Sequence, residues 1–359
     1  MEIGKSKATV TADMDVWKRY RAISSKYKTR FMKRPNIGEI AEDFRSRARQ
    51  LENGELRSFA AVHLKAVAKG EEIQGHWREV AAAKLKSARL YFEEERESKA
   101  LGFPSEGEHL LIGMQILNDA IKVYKNHGQF ALASMVCWEG SLCLREFERH
   151  SDAVDFLQKA AELEQHSPWD RYLALKAIGE IFLEIGDYDA AVHQWREISR
   201  ILIQEVDAAS PLVAQEIKIC EIIRLLLLLF LYPSTPREDD SALLRRYMPC
   251  PGPSDQEDSW IDESQPPFTT LDEHLALSSI AQAVEINDME SLVDAEDHIV
   301  PSLSTEPYVV DLLRHLVLSS KVDAPVPRLL MNLQPPPSTS HAHDKGKTTL
   351  EFKDGHFAV

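Results

Sequence analysis

The stretch Ala177-Ile178-Gly179-Glu180-Ile181-Phe182-Leu183-Glu184-Ile185-Gly186-Asp187-Tyr188-Asp189-Ala190-Ala191-Val192 decides the fold. It reads as two helices joined by a tight turn. Gly179 removes a side chain where two helices must approach closely. Gly186 can take the left-handed conformation that ends a helix. Tyr188 and Ala191 then fill the contact between the paired helices.

A small residue twelve positions before Ala191, with Gly-Asp-Tyr at the turn, is the tetratricopeptide pattern. Weaker echoes stand upstream. Thirty-eight residues earlier come Ser141, then Ala153-Val154 leading to Phe156, Lys159 and Ala160. A third echo is Gly128-Gln129-Phe130 leading to Ala133. The period is not the standard thirty-four, so the hairpins are TPR-like. The expected fold is all-α, an array of antiparallel helical hairpins (an α-solenoid), without strands.

Outward from the hairpins the pattern stays helical. Asp13 or Asp15 can cap a first helix carrying Trp17, Tyr20, Ile23, Tyr27 and Phe31 on one stripe. Pro35 ends it, and Asn36 can cap a second helix to about Leu51. Helices are expected at about 55–72, 75–99 and 108–126, with Gly102-Phe103-Pro104 as a break. The run Ile222–Tyr232 is too short to span a bilayer and reads as a helix buried on all sides. Residues 233–268 are rich in Pro, Ser and acid and read as a loop with a short helix at 242–247. Helices near 271–286, 288–300 and 307–319 follow. The expected organisation is one helical domain over 13–320, with residues 1–12 and the Pro/Ser/His/Lys-rich 321–359 disordered.

The 359 residues are 44% apolar and 28% charged, which is globular composition. No apolar run approaches the ~20 residues of a membrane span, and the polar start shows no secretory signal. Four cysteines, Cys137, Cys143, Cys220 and Cys250, are too few for a disulfide scaffold and suggest a reducing compartment. The net charge of −15 is polarised. Trp17–Arg34 holds eight Lys/Arg and no acid, whereas Pro233–Ser320 holds eighteen Asp/Glu against four Arg. That distribution argues against general nucleic-acid binding, which spreads basic charge over a face. It fits a large protein partner with its own charge pattern.

No catalytic constellation is present: no GxSxG, HExxH, CxxC, P-loop or EF-hand loop. Cys137 and Cys143 lie about 240° apart on a helix and cannot share a metal there. His341 and His343 stand in the tail, and His193 reads as a surface or core-edge histidine. Glu93 and Glu95 read as a solvated face. The basic helix has two readings: lying on anionic lipid with aromatics down, or packing its aromatics inward and offering its basic side to an acidic partner.

Two segments in order carry a resemblance. One runs from Arg19-Tyr20-Arg21 through Lys26, Arg30-Phe31 and Arg34-Pro35-Asn36 to Phe44 and Leu51. The other runs from Cys220-Glu221 through Arg224 and the leucine run to Pro233. Leu271-Asp272-Glu273 and His315-Leu316-Val317-Leu318 follow at suitable places. Over about 17–320 the chain resembles the 40-kDa huntingtin-associated protein family (factor VIII intron-22 protein). Where mammalian members carry a long Pro-rich insert, this chain has only Asp207-Ala208-Ala209-Ser210-Pro211. The resemblance implies a non-enzymatic, cofactor-free TPR-like protein that binds huntingtin in the cleft between its HEAT-repeat domains. It further implies a link to an early-endosomal Rab GTPase and to endosome motility, in cytoplasm, nucleus and early endosomes.

Partner contacts are expected at Lys18, Arg21, Lys26, Arg30 and Arg34 on the basic helix and at Glu290, Asp294 and Asp297 in the acidic half. Leu226 and Leu229 of the leucine run, with Leu313 and Leu316 near the C-terminal side, are expected to need covering by the partner. On that reading the free chain is unstable.

Overall fold

A computed structural model describes residues 15–27, 35–103, 105–206, 210–231, 237–248, 268–286, 288–295 and 307–321. They form fourteen α-helices and no strand. These are α1 (15–24), α2 (Ile37–Asn53), α3 (Arg57–Gln74), α4 (Trp77–Ala100), α5 (Glu108–Asn126), α6 (Phe130–Glu146) and α7 (His150–Leu163). The remainder are α8 (Pro168–Glu184), α9 (Tyr188–Gln204), α10 (Pro211–Leu231), α11 (Glu238–Tyr247), α12 (Leu271–Ile286), α13 (Met289–Asp294) and α14 (Pro307–Lys321).

Local chemistry sets the helix ends. Asn36 accepts the Glu39 amide at 3.3 Å and opens α2, while Asp187 accepts the Ala190 amide at 3.1 Å and opens α9. One turn recurs six times. A residue in the left-handed region (Glu55, Gly75, Gly102, Gly128, Glu148, Gly186) is followed by an amide that bonds to the carbonyl five positions back. After Gly186, for example, the Asp187 amide donates to the Phe182 carbonyl at 2.9 Å. Gly186 suits that φ, whereas Glu148 adopts a φ of 60° at a steric cost.

Gly179 does stand at the close helix crossing. A Cβ there would lie 2.9 Å from the indole of buried Trp195 on α9. The same device appears one hairpin earlier, where a Cβ on Gly140 would meet the Phe156 ring at 2.9 Å. Gly140 thus takes the place that the sequence reading assigned to Ser141. The two glycine–aromatic pairs repeat at 39 residues rather than 38.

Successive helices pack against each other from α2 to α10, and ion pairs show how the array is layered. A set of them joins helices two apart. Glu52 of α2 meets Lys86 of α4 at 2.7 Å, and Arg89 and Arg96 of α4 meet Glu139 and Glu146 of α6. Arg145 of α6 pairs with Glu184 of α8, Lys176 of α8 with Glu216 of α10, and Lys218 of α10 with Glu273 of α12. The even-numbered helices therefore lie side by side in one layer. In the other, Lys159 of α7 reaches Asn118 of α5 at 3.0 Å.

The leucine run is the middle of the C-terminal core. Leu225–Leu229 of α10 pack with Leu277 and Ile280 of α12 and with Val309, Leu313 and Leu316 of α14. The expectation that Leu226, Leu229, Leu313 and Leu316 present a surface to a partner is corrected: they are at most 3% exposed. The chain's own α12 and α14 cover α10, so those leucines give no reason for the free chain to be unstable. Residues 1–14, most of the 233–268 loop, and the tail with His341 and His343 lie outside the described residues, as does Cys250.

Candidate interaction surface

The basic helix packs its aromatics inward. Tyr20 lies 5.3 Å from both Phe44 of α2 and His63 of α3, ring centre to ring centre, and Trp17 sits edge-on to Phe59 at 6.0 Å. Of the expected cationic contacts, Lys18 and Arg21 are exposed, and Lys26 is exposed but tied to Asp43 of α2 at 2.5 Å. Arg30 and Arg34 lie outside the described residues. Of the acidic set, Glu290 and Asp294 are exposed on α13, whose N-terminus Asp288 caps, and Asp297 is not described. The described members of the basic and acidic sets lie at opposite ends of the helix order and form no common site.

The buried ionic groups hold helices rather than ligands. Asp240 on α11 is 2% exposed and lies between Arg196 of α9 and Arg224 of α10. Burial alone would raise its pKa, but hydrogen bonds from the two guanidinium groups outweigh it and hold the carboxyl below its ordinary value. Glu221 of α10 accepts from Arg246 and from Tyr247 of α11, at 2.6 and 2.9 Å. Burial pushes the Cys137 thiol up to about 12 and also raises Cys143, so both are poor nucleophiles. His193 is exposed beside Arg196. Among the described residues no cluster of three His, Cys, Asp or Glu side chains is placed to hold a metal, and no helix is long and apolar enough to cross a membrane.

A different surface, missed by the sequence reading, has the character of a docking site. On α6, Leu132, Met135 and Leu142 point outward, with Met135 66% exposed. Together with Leu85 of α4, Tyr124 of α5 and Trp138 they line a groove of about 580 Å³. The groove's two charges, Arg89 and Glu139, neutralise each other through a two-pronged contact at 2.5 and 2.8 Å. Exposed Leu173, Leu212, Leu271 and Leu275 continue along α8, α10 and α12 of the same layer. Exposed apolar side chains grouped on a charge-neutral face are the mark of a protein-binding surface. The sequence hides the stripe because α6 is apolar on nearly every side. The spacing of residues 132, 135 and 142 cannot be separated from that of the buried set.

The rat and mouse proteins called 40-kDa huntingtin-associated protein are each 32% identical to this chain over 192 residues. The match covers 52% of this chain and 50% of each relative, so it spans about half the length of the curated relatives. No family model matches. Among solved structures, a Podospora anserina kinesin light chain of nearly identical TPR-like repeats aligns with 57% of this chain and 91% of its own, at 12% identity and a TM-score of 0.29. A second crystal structure of that same protein, a variant form, gives 0.28. Overlap that low carries no argument, and the assignment of the fold rests on the helical hairpins themselves. The sequence likeness is the informative one: over about half its length, this helical-repeat chain is similar to the rat and mouse 40-kDa huntingtin-associated proteins.

Proposed function

We propose that the chain is a non-enzymatic scaffold that associates with huntingtin, using the apolar groove on α6 as a principal contact. The observation that carries the reading is the exposed Leu132–Met135–Leu142 stripe on a face whose neighbouring charges are already paired. A surface of that kind gains by covering apolar area, at about 25 cal/mol per Å² before the costs of association. The choice of huntingtin rests on the name of the rat and mouse relatives. Recruitment of huntingtin to early endosomes with a Rab GTPase, and residence in cytoplasm and nucleus, are proposed from the same resemblance. The inward packing of the α1 aromatics weighs against a lipid-bound α1, since that apolar face is occupied.

The test mixes purified chain and purified huntingtin and follows co-elution by size exclusion. Met135→Lys with Leu142→Lys places two charges in the groove at exposed positions, so the fold is expected to survive. The expected result is at least a tenfold loss of affinity with an unchanged melting temperature. Equal affinity in the double variant removes the groove as the contact. Absence of co-elution with the unmodified chain removes huntingtin as the partner.

A further inference from the structure

The outer edge of α1 carries charge that no carboxylate among the described residues neutralises. Helices α1 and α3 run in the same direction, in register. Trp17 touches Phe59, Tyr20 touches His63, and the Tyr27 hydroxyl approaches Gly70. The pairs hold a constant offset of 42 or 43 positions. One flank of α1 faces α2, where Asp43 neutralises Lys26. The other flank, marked by Trp17 on Phe59, faces α3. Lys18 and Arg21 lie one and four positions beyond Trp17, on that flank, and both are exposed. On α3 the exposed stripe includes Lys65 and Lys69, which the register places beside residues 22–23 and 26–27 of α1. Among the described residues none of these four cations forms an ion pair. Most of the chain's guanidinium groups, by contrast, lie within reach of a carboxylate. Trp17, 41% exposed, stands at the end of this ridge with its ring braced by Tyr20 and Phe59.

We infer that the adjoining outer edges of α1 and α3 form a second docking ridge, for an acidic protein segment that places an aliphatic or aromatic side chain against Trp17. Four cations of one sign, unpaired among the described residues, call for carboxylates, and a rigid, half-open indole calls for an apolar neighbour beside them. A membrane fits less well. Lipid binding by a helix uses its apolar face, and here Val16 is 3% exposed while Tyr20 and Tyr27 are spent on Phe44. Nucleic acid fits less well too, because four cations on a chain of net charge −15 do not make a basic face. None of the ridge residues lines the α6 groove, so ridge and groove can be occupied together. The ridge stands independently of huntingtin association.

The experiment uses the full chain and three fluorescent probes. These are a fourteen-residue peptide of Glu and Asp with one central Phe, a single-stranded RNA of twenty nucleotides, and phosphatidylcholine vesicles containing phosphatidylserine. Anisotropy, or flotation for the vesicles, is read at low and at moderate salt. The peptide is expected to bind at low salt and to weaken at least tenfold as salt rises, because surface charge is screened. Lys18→Glu, Arg21→Glu, Lys65→Glu and Lys69→Glu together should abolish binding. The same four positions changed to Gln should weaken it at least tenfold, and serve if the reversed variant does not fold. Trp17→Ala should cost several-fold, and Met135→Lys in the groove nothing. No peptide binding, binding unchanged in the Gln variant, or tighter capture of RNA or vesicles through the same four residues each overturns the inference.

Discussion

Replacing Gly179 by Ala sets two effects of known sign against each other. In the interior of a helix, Gly→Ala ordinarily gains about 0.8–1.0 kcal/mol. Here the added methyl would lie 2.9 Å from both Cε2 and Nε1 of Trp195 and 3.3 Å from its Cζ2. Real Cβ atoms do not approach so closely, so the indole or the helix must move. Trp195 is fully buried in the core cluster that also holds Tyr172, Ile198 and Leu202, so a shift of its ring must displace packed neighbours. Overpacking of that kind costs about 1–3 kcal/mol. The net expectation is a loss of about 1 kcal/mol, which for a domain of about 300 residues lowers the melting temperature by about 1.5 °C. Thermal melts followed by circular dichroism and by tryptophan fluorescence measure it. The cause is isolated with Trp195→Phe. The smaller ring relieves the contact and also removes an indole N–H that has no hydrogen-bond partner among the described residues. In a double-mutant cycle Gly179→Ala should therefore be harmless or stabilising on the Phe background. If Gly179→Ala raises the melting temperature in the unmodified chain, intrinsic propensity dominates and the close-crossing argument is refuted.

Three further outcomes are expected. Glu148→Gly should stabilise by about 0.5–1 kcal/mol, since the φ of 60° strains a side chain and not a glycine; an unchanged denaturation midpoint would contradict the turn assignment. Asp240→Ala should cost about 3 kcal/mol by leaving Arg196 and Arg224 without their counter-charge. Hydrogen exchange should then show early opening of α11. Burial lowers the pKa of His63 beneath its ordinary value, with Arg47 nearby and no partner for its Nε2 among the described residues. A histidine whose folded pKa lies below its unfolded value adds stability at neutral pH that begins to fade below about 6.5 and is gone beneath the folded value. Urea titrations from pH 7.5 to 5 should show that decline, and His63→Phe should flatten it.

The repeat was legible in residues 177–192 because a tight hairpin is a local event. A glycine turn, a capping aspartate and a small residue at the crossing all act within a dozen positions, where sequence spacing and spatial spacing coincide. The aromatic stripe of the first helix, though not whether it faced lipid or the core, the cap at Asn36 and the span of the helix at 108–126 were readable for the same reason. The choice of Ser141 over Gly140 shows the limit. Two small residues adjoin, and only the position of the Phe156 ring says which one meets it. Beyond the hairpin, tertiary structure decided the rest. An all-apolar helix such as α10 reads equally as core or as interface, and the arrival of α12 and α14, forty or more residues later in the chain, made Leu226 and Leu229 core. On α6 the layering left Met135 outside and Cys137 inside, although both lie in one apolar run. The basic ridge depends on α1 lying parallel to α3, so that Lys18 and Lys65 share an edge across 47 positions of sequence. Periodicity fixes which residues share a face of one helix, but which face meets solvent depends on neighbours that the local sequence does not encode.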